Sequence, residues 1–112
     1  MSLNVVVVTG ILAREPQLSY SASGPETRLD VRCFSREKDA GGNWKKVHTI
    51  LPVVIRGASA ERVAGWLKEG HAVEVEGRLQ GFEFQMGDRI VKACAILARR
   101  VDQVKDEAGA AR

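Results

Sequence analysis

Apolar and polar residues alternate along most of this chain, and the alternation predicts strands. Over Thr27 to Arg36, TRLDVRCFSR, residues Leu29, Val31 and Cys33 fall on one face and Arg28, Asp30, Arg32 and Phe34 on the other, the period-two pattern of a half-buried strand. His48 to Arg56 continues likewise, with Leu51, Val53 and Ile55 inward and Ile50, Pro52, Val54 and Arg56 outward. Pro52 has no ladder donor, so its amide side is expected to be unpaired or bulged and the strand locally irregular there. Ala72 to Leu79 sets Val73, Val75 and Leu79 against Glu74, Glu76 and Arg78; Gln80 to Arg89 extends it into a hairpin turning at Gly87-Asp88, with Phe82 and Phe84 on one side. Ile90 to Val101 supplies a last strand. Asn4 to Leu12, NVVVVTGIL, lacks a polar face, so it is either buried on both sides or paired with another subunit, and Gly10 is a predicted bulge or sharp bend.

Within Ala60 to Glu69 the period changes. Val63, Ala64 and Leu67 recur at helical spacing, Ser59 offers an N-cap hydroxyl, and Gly70 stands where a left-handed C-cap belongs. One apolar-striped helix between half-buried strands implies a small barrel with the helix plugging an end. Gln17 to Tyr20 forms a short edge strand before the turn Ser21 to Pro25, and Glu37 to Val47, EKDAGGNWKKV, reads as a loop. Residues 1–101 are thus expected to form one domain, with 102–112 as a short flexible tail.

A chain of 112 residues makes one domain with a modest core. At 45% hydrophobic and 28% charged it fits a globular soluble protein. No segment approaches the ~20 apolar residues that span a bilayer, and Val5 to Val8 is too short for a secretory signal, so the expected location is cytoplasmic. Cys33 and Cys94 stand apart with no ligand-spaced histidine, predicting two reduced buried thiols and neither metal nor cofactor. Net charge +3 and a pI near 9.1 favour an anionic partner.

The candidate chemistry is that of stacking and phosphate contact. Trp44 lies beside Lys45 and Lys46, Phe34 faces outward among arginines, and Phe82 and Phe84 share one side of a hairpin with Met86. Aromatic faces take unstacked bases, and cations meet phosphates. The candidate stacking residues are Trp44, Phe34, Phe82 and Phe84; the candidate phosphate contacts are Arg28, Arg32, Lys45, Lys46, Arg56 and Arg89. Each aromatic also has a plainer reading: Trp44 folded over the barrel, Phe34 in a dimer contact, and the hairpin pair in an oligomer contact. Tyr20 either stacks on a base or covers the barrel end, and Trp66 on the helix reads as a packing residue. His48 and His71 lack a partnered nucleophile, and Glu74 and Glu76 read as a solvated pair, so no enzyme is indicated.

Five strands with a helix between strands 3 and 4 is the order of the OB-fold, an all-β, five-stranded Greek-key β-barrel. Arg14-Glu15-Pro16-Gln17-Leu18-Ser19-Tyr20 after Asn4 to Gly10, then Ser23-Gly24, resembles the amino-terminal part of bacterial single-stranded DNA-binding proteins. Val53 to Gly57, Ala60-Glu61, Leu67 to Gly70 and Val73 to Leu79 resemble that family's most recognisable block. The likeness runs from about Asn4 to Val101. It implies binding of single-stranded DNA during replication, repair or recombination, as a homodimer or homotetramer; the Asn4 to Leu12 strand is the expected contact. A cytoplasmic, nucleoid-associated protein with replication or primosome proteins as partners would follow.

Phe84 matches a position where the family places a stacking aromatic, whereas Ile50 and Arg56 stand where it commonly has aromatics. The sequence closes on Ala110-Ala111-Arg112 instead of the acidic, phenylalanine-ended tail through which many members recruit partners. Leu51-Pro52-Val53 resembles primosomal replication protein N, a relative of the same barrel, so a primosome-type adaptor is a second reading. An oligomerisation module that has lost DNA binding is a third. With two stacking platforms replaced, binding is expected to lean on charge. About four neutralised phosphates give a slope near -3 for the logarithm of oligo-dT affinity against that of salt concentration, measurable by titration at several ionic strengths.

Overall fold

The computed structural model describes residues 2–104. Strands β1 (Val6–Leu12), β2 (Gln17–Ser21), β3 (Gly24–Lys38) and β4 (Trp44–Arg56) precede helix α1 (Ala58–Trp66), and β5 (Ala72–Met86) and β6 (Arg89–Gln103) follow it. The sheet order β1-β5-β6-β4-β3 closes on itself through pairing of β1 with β3, giving a five-stranded barrel; β2 hangs on β3 as a sixth, hairpin strand. The helix connects the third and fourth barrel strands, as the OB order requires. β4 and β6 meet in parallel at Val53 and Val54 only, so closure on that side is brief.

The core follows the alternation. Leu29, Val31, Val53, Ile55, Val73, Val75, Ile96 and Val101 fill the barrel, and Ala60, Val63 and Leu67 of the plug segment meet them from one end. Thr27 is the buried polar exception: its hydroxyl donates to the Ala60 carbonyl at 2.7 Å, satisfying itself and fastening α1 to β3.

Gly10 is not a bulge, since the β1–β5 register passes through Gly10↔Val73 unbroken. A Cβ there would collide with the Arg32 carbonyl and come within 2.8 Å of Val31 Cγ1, so the glycine lets β1 cross onto β3. The bulge lies at Glu76/Gly77, where Gly77 passes 2.8 Å from Ala98 Cα, measured from the Cβ it lacks. Beyond it Leu79, expected inward, is half exposed, because β5 there runs past the beginning of β1. Asn4 fills that gap: its carboxamide accepts from Leu79 N and donates to Leu79 O, both at 2.9 Å.

The helix begins and ends earlier than its sequence pattern predicts. Gly57, not Ser59, is the N-cap; Ser59 lies in the first turn, and no side chain caps the helix. Leu67 is the extended C-cap, and Gly70 takes its positive φ in the following turn, where its N–H donates to Leu12 O at 2.9 Å. The tertiary bond to β1 decides that glycine's place, overriding helix-end geometry. Pro52 causes no irregularity, because the β3–β4 register is continuous from Glu26↔Arg56 to Lys38↔Trp44. Asp30, its neighbour, gives its carbonyl to Ala13 N at 2.8 Å. Asp30 and Pro52 are therefore a non-hydrogen-bonded pair, and the missing donor of Pro52 points away from β3.

Other boundaries also moved. β3 and β4 extend through most of the expected loop, leaving residues 39–43 as the turn, and β6 continues two residues past 101; the tail from 105 onward lies outside the described residues. Cys33 is partly buried, which pushes its thiol pKa up, while Cys94, expected to be buried, is exposed. Leu67 is wholly buried at the plug, so Leu67→Ala should lower unfolding free energy by about 2–5 kcal/mol in a urea titration.

Candidate nucleic-acid interface

Two long hairpins leave the barrel and carry the candidate residues. The β5–β6 hairpin turns at Gly87-Asp88, as the sequence predicts, with Met86 opposite Arg89. Alternation puts Phe82, Phe84 and Met86 on one side of it. The Phe82 and Phe84 rings stack, with centroids 6.4 Å apart and planes 29° from parallel. They border a cleft of about 820 Å³ whose other lining includes Arg28, Pro52, Val54 and Arg56. The outward row of β3–β4 and the aromatic side of β5–β6 thus share one hollow, a juxtaposition produced by the β4–β6 pairing at Val53 and Val54. Ring faces and guanidinium groups there can receive unstacked bases and phosphates.

Carboxylates enter the same cleft. Glu26, opposite Arg56 in the ladder, has Oε1 3.3 Å from Arg56 Nε and Oε2 3.7 Å from Arg28 Nε. Asp30 Oδ2 lies 3.1 Å from Arg14 Nε. The arginines of the cleft are therefore already engaged.

The β3–β4 hairpin forms a second group. Its turn is held by Asp39, whose Oδ1 accepts from Gly41 N and Asn43 N, both at 2.9 Å. Trp44, expected in a loop, opens β4 opposite Lys38. Its ring lies 5.6 Å from Lys38 Nζ and 5.8 Å from Arg36 Cζ, and it remains 60% exposed. Phe34 meets His48 edge-on at 6.3 Å, and Lys46 Nζ sits 4.3 Å from its ring centroid. The uninterrupted register puts Phe34, Arg36, Lys38, Trp44, Lys46 and His48 on one side of the arm. Lys45, opposite Glu37, projects from the reverse side, so the two adjacent lysines do not act together.

The candidates thus divide. Phe82, Phe84, Arg28 and Arg56 gather in the cleft; Phe34, Trp44 and Lys46 gather on the arm. Arg32 lies between them on the outward row opposite Ile50, and Arg89 stands at the tip of the other hairpin, outside the cleft lining. Tyr20 donates to Glu61 Oε2 at 2.7 Å, a bond that raises the phenol pKa, with burial and the carboxylate charge adding to the effect. It ties β2 to α1 and leaves Tyr20 65% exposed. Trp66 is half exposed beneath Arg62, whose Cζ is 5.2 Å from its ring. His71 is structural: Nδ1 accepts from Lys68 N at 3.1 Å.

Arg36 and Lys38 continue the parity of Phe34 within what the sequence pattern reads as the strand end and loop, and only the turn at residues 39–43 puts them beside it. Arg14 sits on the β1–β2 connection and carries no pattern that announces it. Among the described residues no group of histidine, cysteine or acidic side chains could hold a metal ion, and no helix is long and apolar enough to cross a membrane.

A family model, the Single-strand binding protein family, matches residues 3–103. Single-stranded DNA-binding protein A of Bacillus subtilis is 33% identical over 90 residues, 79% of this chain and 52% of its own length. The single-stranded DNA-binding protein of Treponema pallidum is 33% identical over 79 residues, 70% of this chain and 44% of that protein. The chain spans about half the length of such curated relatives. In fold it is similar to the small single-stranded DNA-binding protein of Streptomyces coelicolor, with a TM-score of 0.74 and 22% identity over 93% of this chain and 96% of that one. It is similar also to a Plasmodium falciparum SSB solved in complex with ssDNA, with a TM-score of 0.81 and 18% identity over 93% and 95% of the two chains.

Proposed function

The chain belongs to the single-strand binding protein family, and from that membership we propose that it binds single-stranded DNA without regard to sequence, in support of replication, repair or recombination. The observation that carries this reading is the stacked, half-exposed pair Phe82 and Phe84 on the wall of an open cleft that also contains Arg28 and Arg56. Bases freed from a duplex gain stacking on those rings, and every base has such a face, which makes the contact tolerant of sequence. The arm adds Trp44 and Phe34 with Arg36, Lys38 and Lys46 around them. Arg32, Lys45 and Arg89 contribute charge along the path between and beyond these groups. The protein acts by binding and not as an enzyme, in the cytoplasm and on the nucleoid, alongside replication or primosome proteins.

Homo-oligomerisation through the first strand is part of the proposal. β1 pairs with β5 along Val6 to Ile11, but with β3 only at Ile11 and Leu12. Among the described residues its second edge therefore carries no strand from Val6 to Thr9. Beside that edge Val5 and Val7 are 61% and 58% exposed, an apolar stripe fitted to a second copy.

Phe84→Ala should weaken oligo-dT binding by about 1–3 kcal/mol, roughly 5- to 150-fold, in a titration followed by tryptophan fluorescence. Unchanged affinity would count against the cleft, and wild-type protein that neither quenches nor shifts at low salt would remove the whole reading. Val7→Asp should reduce the apparent mass to that of a monomer in sedimentation velocity, with the circular dichroism spectrum kept; an unaltered oligomer would show that association uses another surface.

A further inference from the structure

The ion pairs of the cleft differ in burial between their acidic and basic members. Glu26 is set low, its side chain 26% exposed, while Arg28 and Arg56 reach over it at 70% and 62%. Counting Arg14 and Asp30, three guanidinium groups face two carboxylates, so the cleft retains one uncompensated positive charge. On the arm, Arg36, Lys38 and Lys46 have no carboxylate within ion-pair distance among the described residues. One hollow holds the exposed aromatic pair with masked cations, and the other group has open cations lying on its aromatics.

We propose that Glu26 and Asp30 are specificity-determining residues that make the cleft reject duplex nucleic acid while admitting single strands. This rests on the single-strand reading above. A phosphate entering the cleft must draw a guanidinium away from its carboxylate and then lie beside that carboxylate. Two like charges about 4 Å apart lower affinity roughly fivefold even at the dielectric of bulk water, and by more in a sheltered cleft. A single strand can turn an uncharged base onto Phe82 and Phe84 and keep its phosphates on the exposed outer sides of Arg28 and Arg56, away from the carboxylates, so it avoids most of that repulsion. A duplex keeps its bases stacked on one another and offers this wall only phosphates, so it meets the repulsion in full and gains no stack. Selectivity arises from what the carboxylates withhold as much as from what the rings supply.

The test compares Glu26→Gln and Asp30→Asn with wild type by fluorescence anisotropy, using labelled oligo-dT and a labelled duplex at low salt. Glu83→Gln, opposite Lys92 on the side of the hairpin away from Phe82 and Phe84, removes one negative charge outside the cleft and serves as the matched control. Relative to it, each cleft variant should tighten duplex binding by about five- to tenfold and oligo-dT binding by less than about twofold. Equal tightening of both ligands, or none beyond the control, overturns the discriminating role. If Glu26→Gln loses its circular dichroism spectrum, Asp30→Asn decides alone. Failure of wild type to bind oligo-dT would instead overturn the functional reading itself.

Discussion

The closed barrel depends on how closely β1 can approach β3. The barrel closes only where β1 leaves β5 and takes up β3, and at that crossing the backbone of Gly10 lies against the Arg32 carbonyl with no room for a side chain. The cleft forms elsewhere on the ring, where β4 meets β6 at Val53 and Val54 and so sets the outward row of β3–β4 beside the aromatic side of the β5–β6 hairpin.

The two hairpins then divide the labour electrostatically. In the cleft, Glu26 and Asp30 hold the arginines and the rings stack on each other. On the arm, cations lie directly on the rings of Trp44 and Phe34. The exposed aromatics of the hairpins thus stand in two groups, with Arg32 on the outward row between them.

Much of this was legible from alternation. The inward residues of β3 and β4, the helix stripe at Val63 and Leu67, and the Gly87-Asp88 turn all follow from local pattern, because burial acts on each residue through its own neighbours. Three features did not. Leu79 continued the inward parity but lies where the wall ends, a fact that belongs to β1. Lys45 and Lys46 were adjacent in sequence and separated by the strand, once the supposed loop proved to be ladder. The pairing of Glu26 with two arginines depends on the β3–β4 register and on two-residue spacing together, so reading one segment at a time did not disclose it.

Asn4 is a small feature with a wide reach. By bonding both the amide and the carbonyl of Leu79, its carboxamide imitates one more peptide of β1 and leaves that stretch of β5 with nothing to offer a passing strand. An open ladder beside exposed apolar residues is adhesive in any orientation, which is how sheets come to aggregate. Past Leu79, from Gln80 to Met86, β5 pairs with β6 alone among the described residues, so the asparagine blunts the edge only where β1 begins. One asparagine thereby does locally what an added strand residue would do, and satisfies both backbone groups of Leu79.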